Sequence, residues 1–261
     1  MTEIIGILNV TPDSFYDGGK HSLFDCAVSH AKKMIDDGAK IIDVGGESTR
    51  PGAQKTPEKE ELNRVLPVIE KLTELNIPTS IDTYKLGVAE KAVSAGALMI
   101  NDVTGFKDAR MIELAAEHNT YACIMHMKGE PQNMQKNPTY HDVVGEVKEF
   151  LIRQADKAVD AGLNKKNIYI DPGIGFGKTL EHNLALLRNI GEFKETGYNL
   201  LVGHSRKSFL GRLLDISVKE RLPATLGVTA YLALKKVDVV RVHDIAENRQ
   251  VIDVVSAVSV K

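Results

Sequence analysis

Eight short apolar runs alternate with helical patterns along this chain, and that rhythm restricts the fold more than any other feature. The runs fall at 4–8, 41–44, 78–81, 98–100, 122–125, 168–170, 200–202 and 239–242. They read as continuous stretches rather than strict alternation, as strands buried on both faces do. Between them, Phe24, Ala27, Val28, Ala31, Met34 and Ile35 recur at helical spacing, and Gly38 offers a stop. Leu62, Val65, Leu66, Ile69 and Leu72 follow the same period. Thr56 is placed to cap that second helix, Pro57 suits its first turn, and Glu58, Glu60 and Glu61 complement its dipole. Further helices are expected over 88–93, 112–116, 144–159, 184–190 and 251–258, with an additional one over 222–234. This alternation means parallel strands joined by crossover helices. Eight such units favour closing the sheet into a (β/α)8 TIM barrel over an open doubly wound sheet. The 261 residues, 43% of them apolar, suit a single barrel domain over 1–261, with no low-complexity linker or charge break.

The charge balance excludes several classes of partner. A net charge of −2 carries no basic excess for nucleic acid and no acidic run for a disordered tail. No apolar run reaches the length of about 18 residues that a membrane span needs. Residues 1–10 lack a basic leader or a small-residue cleavage pattern, so no secretory signal is expected there. The two cysteines, Cys26 and Cys123, both fall in apolar patterns and read as buried free thiols, which suits a reducing cytoplasm.

Nearly every apolar run ends in a residue able to do chemistry. The ends carry Asn9, then Asp43 with Glu47, Thr49 and Arg50 beyond, then Asp82, then Asn101 and Asp102, then His126. Asp171, Gly203 with Ser205, Arg206 and Lys207, and finally Arg241 and His243 complete the set. In a barrel these ends meet on one face, where active sites sit. A lone Asp after a strand is more often a helix cap, and Asp142 fits that reading. Caps do not explain polar groups at all eight ends.

Asp171-Pro-Gly-Ile-Gly-Phe-Gly-Lys178 lies between a strand and a helix, and its glycines permit tight turns and close approach to a flat or anionic ligand. Its spacing matches neither the P-loop nor the dinucleotide fingerprint. Asp43-Val-Gly-Gly-Glu47 and Phe15-Tyr-Asp-Gly-Gly19 are further glycine-rich loops suited to covering a site. No His, Cys and Asp cluster has zinc spacing. A hard cation such as Mg2+ takes oxygen ligands shared with substrate phosphates, which Asn9 with Asp13 or Asp17 can supply. For His126, packing and a site role stay equally open. Lys178 reads as a solvated-face cation.

Taken together, Asn9-Val-Thr-Pro-Asp-Ser-Phe15, Asp43-Val-Gly-Gly-Glu-Ser-Thr-Arg-Pro-Gly52, Ile81-Asp-Thr83, Asn101-Asp102, Met125-His-Met127, Asp171-Pro-Gly-Ile-Gly-Phe-Gly-Lys178, Ser205-Arg-Lys-Ser208 and Arg241-Val-His243 resemble the dihydropteroate synthase family. The motifs span almost the whole chain in the family's order. The resemblance implies a (β/α)8 barrel, commonly a homodimer, that joins p-aminobenzoate to dihydropterin pyrophosphate with Mg2+ in folate biosynthesis.

It also implies roles. Asp171 and Asn101 match ring-binding positions, Asp82 lies beside them, and Lys207 matches a lysine that reaches the ring. Gly203 leaves room for the pterin, with Met125 and Phe176 as soft walls. Arg50, Arg241 and His243 match pyrophosphate positions, with Asn9 and Thr49 adding polar contacts and Asn9 a link to Mg2+. Phe15 and Pro51 match residues that pack the aminobenzoate ring, and Ser208 matches a carboxylate contact at a helix start. Asp17 matches a carboxylate suited to stabilising a pterin methylene cation. Lys207, Arg241 and His243 join Asp17 as the catalytic set.

Three departures stand out. Tyr16 occupies a position where a small Ser is common, His204 precedes the Ser205-Arg-Lys-Ser208 motif at a variable position, and the chain begins almost at the first strand, without a leading hairpin. Two rival readings remain at this point, a pterin-binding methyltransferase barrel and a catalytically idle pterin-binding paralogue. A generic phosphate-binding barrel is the fallback.

Overall fold

In the computed structural model, which describes residues 1–11, 20–50 and 52–259 and the side chains of all of these except 20–23, the apolar runs are parallel strands. They are β1 (Glu3–Asn9), β2 (Ile41–Gly45), β3 (Thr79–Asp82), β4 (Met99–Asp102), β5 (Tyr121–Met125), β6 (Ile168–Asp171), β7 (Asn199–Val202) and β8 (Val239–Val242). Each pairs with its sequence neighbours in parallel, and β8 closes on β1 with Ile5 opposite Arg241, giving a closed eight-stranded barrel. The helices between them are α1 (Lys20–Asp36), α2 (Glu58–Glu74), α3 (Leu86–Ser94), α4 (Ala109–Glu117) and α5 (Val143–Asp160). Then come α6 (Leu180–Arg188), α7 (Ile190–Lys194), α8 (Ser208–Leu214), α9 (Leu222–Leu234) and α10 (Ile245–Ser259). The chain is thus the single (β/α)8 barrel that the eight-unit rhythm implies.

Strand side chains alternate between the two faces. The outer set, including Ile4, Ile42, Val44, Ile81, Ile100, Ile124, Ile170, Leu200 and Val240, packs under the helices in the main core. The inner set splits by height. Ile5, Met99, Cys123, Leu201 and Val239 form an apolar floor, with Ile41 and Tyr169 packed against it. Above that floor the same faces carry Asp82, Asn101, Asp171 and Arg241 at or next to the C-terminal ends of their strands, with Asp43 at the middle of β2.

Several sequence expectations change. Thr56 does not cap α2: Pro57 holds the N-cap position without a side-chain bond, and its carbonyl accepts from the amides of Glu60 and Glu61. The helix expected over 184–190 starts earlier, because Thr179 and His182 form a reciprocal capping box at the start of α6. Cys26 is exposed rather than buried, because the inward stripe of α1 is set by Ala27, Ala31 and Met34. Cys123 is buried in the barrel floor. Asp142 does cap α5, accepting from the Val144 amide at 3.1 Å.

Candidate active site at the barrel mouth

The period-2 alternation that lines the floor also aims a ring of polar groups up the barrel. Arg241 on β8 reaches across to β2 and β3, donating from Nε to Asp43 Oδ2 and from Nη2 to Asp82 Oδ2. Asn101 on β4 donates from Nδ2 to the same Asp43 oxygen at 2.9 Å. The other Asp43 oxygen is buried without a hydrogen-bond partner among the described residues. Burial pushes Asp82 up to about 7, with Arg241 pulling the other way. For Arg241, burial works against the charge, but Asp43 and Asp82 hold its pKa above the ordinary value. At neutral pH the guanidinium is therefore a fixed cation at the centre of the mouth.

Asp171 ends β6 and turns the glycine-rich loop, its Oδ1 accepting from the Gly173 amide at 2.7 Å. Burial raises its pKa, and that amide together with Lys207 opposes the rise. A Cβ added at Gly203 would meet Asp171 Oδ2 at 3.6 Å, and one at Gly45 would meet Asp82 at 3.6 Å, both ordinary contacts. Bare glycine backbone therefore faces each of the two carboxylates, with no side chain between. Met125 and Phe176 sit in a small apolar group with Val103, Met127 and Met134, against which Tyr84 packs. Lys207 places Nζ over the Phe176 ring, 3.9 Å from its centre. Burial, then the charge of Arg241, lowers Lys207 to about 8.

His243 extends the line of β8. Its Nδ1 lies 2.9 Å from Ser205 Oγ, and its backbone amide donates to that hydroxyl at 3.3 Å. Burial and Arg241 lower the imidazole to about 4, so it is neutral near pH 7. Beyond β7, Arg206 adopts a positive φ of 54° and makes a two-pronged bond to Asp244, 2.8 Å on each arm. That brace fixes the turn that presents Lys207 and Ser208, the latter half-buried at the first position of α8.

On the opposite rim, Asn9 and Thr49 are half-buried and Arg50 is exposed. Their loop is tied at its root, where Lys85 donates to both Glu47 and Glu61 and Tyr84 donates to Glu47 Oε1 at 2.8 Å. Arg64 adds a bond of 2.7 Å to the Gly46 carbonyl. Phe15, Tyr16, Asp17, Asp13 and Pro51 lie outside the described residues.

Two expectations about single residues are corrected. Lys178 is not a solvated-face cation: it is 1% exposed and bonded to the end of β5. Asp102, though at a strand end, turns away from the mouth and folds its own loop, accepting from Thr104 at 2.7 Å and from the Phe106 amide at 3.0 Å. Asp43 stands in the sequence among the polar strand residues with no ligand assigned to it, yet it joins Asn101 and Arg241. Its place two residues before Gly45 on the inward face of β2 is the signal that locates it. Among the described residues no group of three or more His, Cys, Asp or Glu is arranged to hold a metal. A single amide oxygen such as that of Asn9 fits a Mg2+ ion that takes most of its oxygens from a diphosphate and water.

The comparisons agree with this geometry. Residues 5–243 match the family model described as pterin binding enzyme. The chain is 50% identical to the dihydropteroate synthase of Bacillus subtilis over 249 residues, 94% of this chain and 85% of that protein. The chain belongs to the dihydropteroate synthase family. Among solved structures, the dihydropteroate synthase of Clostridium difficile, crystallised in the presence of pteroic acid, is 44% identical and superposes with a TM-score of 0.93, covering 100% of this chain and 97% of that one. The dihydropteroate synthase of Thermus thermophilus in complex with 4-aminobenzoate is 41% identical with a TM-score of 0.88, covering 98% and 94%. For a chain of the dihydropteroate synthase family, a mouth with carboxylates, an amide and a lysine around open glycines beside an arginine and a neutral histidine suits a flat polar heterocycle carrying a diphosphate.

Proposed function

We propose that this chain is a transferase that joins p-aminobenzoate to the methylene carbon of 6-hydroxymethyl-7,8-dihydropterin pyrophosphate, giving 7,8-dihydropteroate and pyrophosphate. The observation that carries this reading is the polar cluster at the mouth, where Arg241 bonds Asp43 and Asp82, Asn101 bonds Asp43, and Asp171 faces the bare backbone of Gly203. Asp171, Asn101 and Asp82 take the donor and acceptor edge of the pterin, at about 1.5–3 kcal/mol for each charged hydrogen bond. Phe176 and Met125 wall the ring, and Lys207 reaches it from the rim.

Arg241, Arg50, Asn9 and Thr49 receive the pyrophosphate. His243 joins them as a neutral donor: an Nδ1 that accepts from Ser205 leaves the ring proton on Nε2. A Mg2+ ion, with Asn9 as its protein ligand, would supply further charge neutralisation of the leaving group when bound. As the C–O bond to the methylene breaks, its electron pair leaves on pyrophosphate. The dihydropterin and the Asp17 carboxylate stabilise the electron-poor carbon. The amine lone pair of p-aminobenzoate forms the C–N bond, and the surplus amine proton passes to solvent. Phe15, Pro51 and Ser208 hold the aminobenzoate.

The support for two further readings is separate. Leu213, Leu214, Val218, Leu234, Val254 and Val258 are exposed apolar residues on and between α8, α9 and α10, a surface suited to a homodimer. Among the described residues no helix is long and apolar enough to cross a membrane, and the two thiols are unpaired, which suits the cytoplasm.

The test is dihydropteroate formation from the two substrates, with Mg2+ and with chelator. Mg2+-dependent product is the expected outcome. Binding of the pterin substrate without product points instead to an idle pterin-binding paralogue, and neither binding nor product overturns the pterin reading. Asp171→Ala, which removes the buried ring anchor, lowers kcat/KM by the equivalent of about 3–5 kcal/mol. Near-normal turnover in that variant sinks the assignment.

A further inference from the structure

We infer that Lys178 is a positioning residue for the pterin pocket: its buried side-chain nitrogen staples the end of β5 to the glycine-rich loop that carries Phe176. The inference rests on the reading of Asp171 and Phe176 as pterin-site residues. Lys178 Nζ lies 3.0 Å from His126 Nδ1, and it donates to the Phe176 carbonyl at 3.0 Å and the His126 carbonyl at 3.3 Å. Burial lowers the Lys178 pKa to about 7, with the charge of Asp171 opposing the fall; in its ammonium form it has three N–H donors and no acceptor, so these three neighbours match its capacity. His126 completes the match. Burial, then the charge of Lys178, holds its imidazole down to about 2, so the ring is neutral and Nδ1 is free to accept from Nζ.

Each end of the staple touches the pocket. His126 follows Met125, and its amide donates to the Asp171 carbonyl at 3.0 Å. Phe176 lies beneath Lys207 Nζ, 3.9 Å from ring centre. Gly173, Gly175 and Gly177 all take positive φ and bring no side chain to pack, so the loop's apolar anchors are Ile174 in the main core and Phe176 at the mouth. Polar ties hold the glycines between these anchors. Gln135 donates to the Gly175 carbonyl at 2.6 Å, Tyr140 donates to the Gly177 carbonyl at 2.9 Å, and the Gly175 amide donates to Asn183 at 2.7 Å. Lys178 supplies the tie at Phe176 itself. An apolar side chain of similar length would fill the space with less desolvation and leave three buried acceptors without their donor.

The decisive comparison is Lys178→Met against the parent protein, by steady-state kinetics and by titration of dihydropterin pyrophosphate. Loss of the staple is expected to raise KM for the pterin substrate by about tenfold, the scale of a modest misplacement of a binding group, and to leave KM for p-aminobenzoate within about twofold. Because the staple acts through Phe176, Lys178→Met and Phe176→Leu together should cost less than the sum of the two alone. A folded Lys178→Met protein with a lower melting temperature and parental pterin KM overturns the inference. Should that variant fail to fold, His126→Phe decides. It keeps the ring contacts to Phe150 at 5.2 Å and Tyr140 at 6.1 Å but removes one acceptor, and a rise of about threefold in pterin KM is expected. Parental pterin affinity in that variant overturns the inference. A parent protein that itself binds no dihydropterin pyrophosphate overturns the pterin reading with it, an outcome distinct from a variant that binds normally.

Discussion

Asp43 gathers two donors onto one oxygen, while its other oxygen is buried with no partner among the described residues. That arrangement makes it the hub between Asn101 and Arg241, although its sequence context is only a carboxylate inside an apolar run. His204 is a second residue whose surroundings set its behaviour. It is fully buried, with Nε2 2.8 Å from Thr229 Oγ1. Burial lowers its pKa from 6.5 to about 4. The unfolded chain therefore takes up the proton below pH 6.5 while the folded chain resists it down to about 4. The contribution of His204 is fully present above pH 6.5 and is lost as pH falls through that window. Chemical denaturation of the parent and of His204→Gln should show the parent losing stability relative to the variant by up to about 1.4 kcal/mol per pH unit across it. A difference that stays flat with pH contradicts the buried neutral imidazole.

At the scale of elements, the loop from β6 to α6 is set by close backbone approach. Gly173 has φ of +67°, and a Cβ there would stand 1.9 Å from the His126 carbonyl oxygen. Gly191 in α7 has nothing within 4 Å of such an atom. Gly173→Ala should therefore cost more than about 2 kcal/mol in urea denaturation and disturb pterin binding with it. Gly191→Ala should be neutral or stabilise by up to about 1 kcal/mol. Equal effects at the two positions contradict the geometry. The glycine run itself is legible as a turn signal, but how closely Gly173 is obstructed is not, because the obstructing carbonyl belongs to His126, just beyond β5.

At the scale of the whole molecule, the closed barrel brings eight strand ends to one mouth and leaves an apolar surface on α8, α9 and α10. If that surface is the seam between two copies, light scattering gives twice the chain mass of 28.6 kDa. Leu234→Glu, at a side chain 58% exposed in one copy, should shift the protein toward the single-chain mass. A monomer in the parent protein sets the dimer reading aside.

Sequence alone determined the eight strand-and-helix units, the polar residues at the strand ends and the family motifs, because these depend on periodicity and local order that a linear chain records. Asp82, Asn101, Asp171, Lys207, Arg241 and His243 were therefore legible as a candidate site before any geometry. Tertiary structure alone decided partners and burial. Arg241 meets Asp43 across 198 residues, and Lys178 meets His126 across 52. It also turned Asp102 away from the mouth, left Cys26 exposed and drew Lys178 inside. Each outcome depends on which atoms arrive from distant strands to exclude water or accept a proton, and no local pattern specifies that.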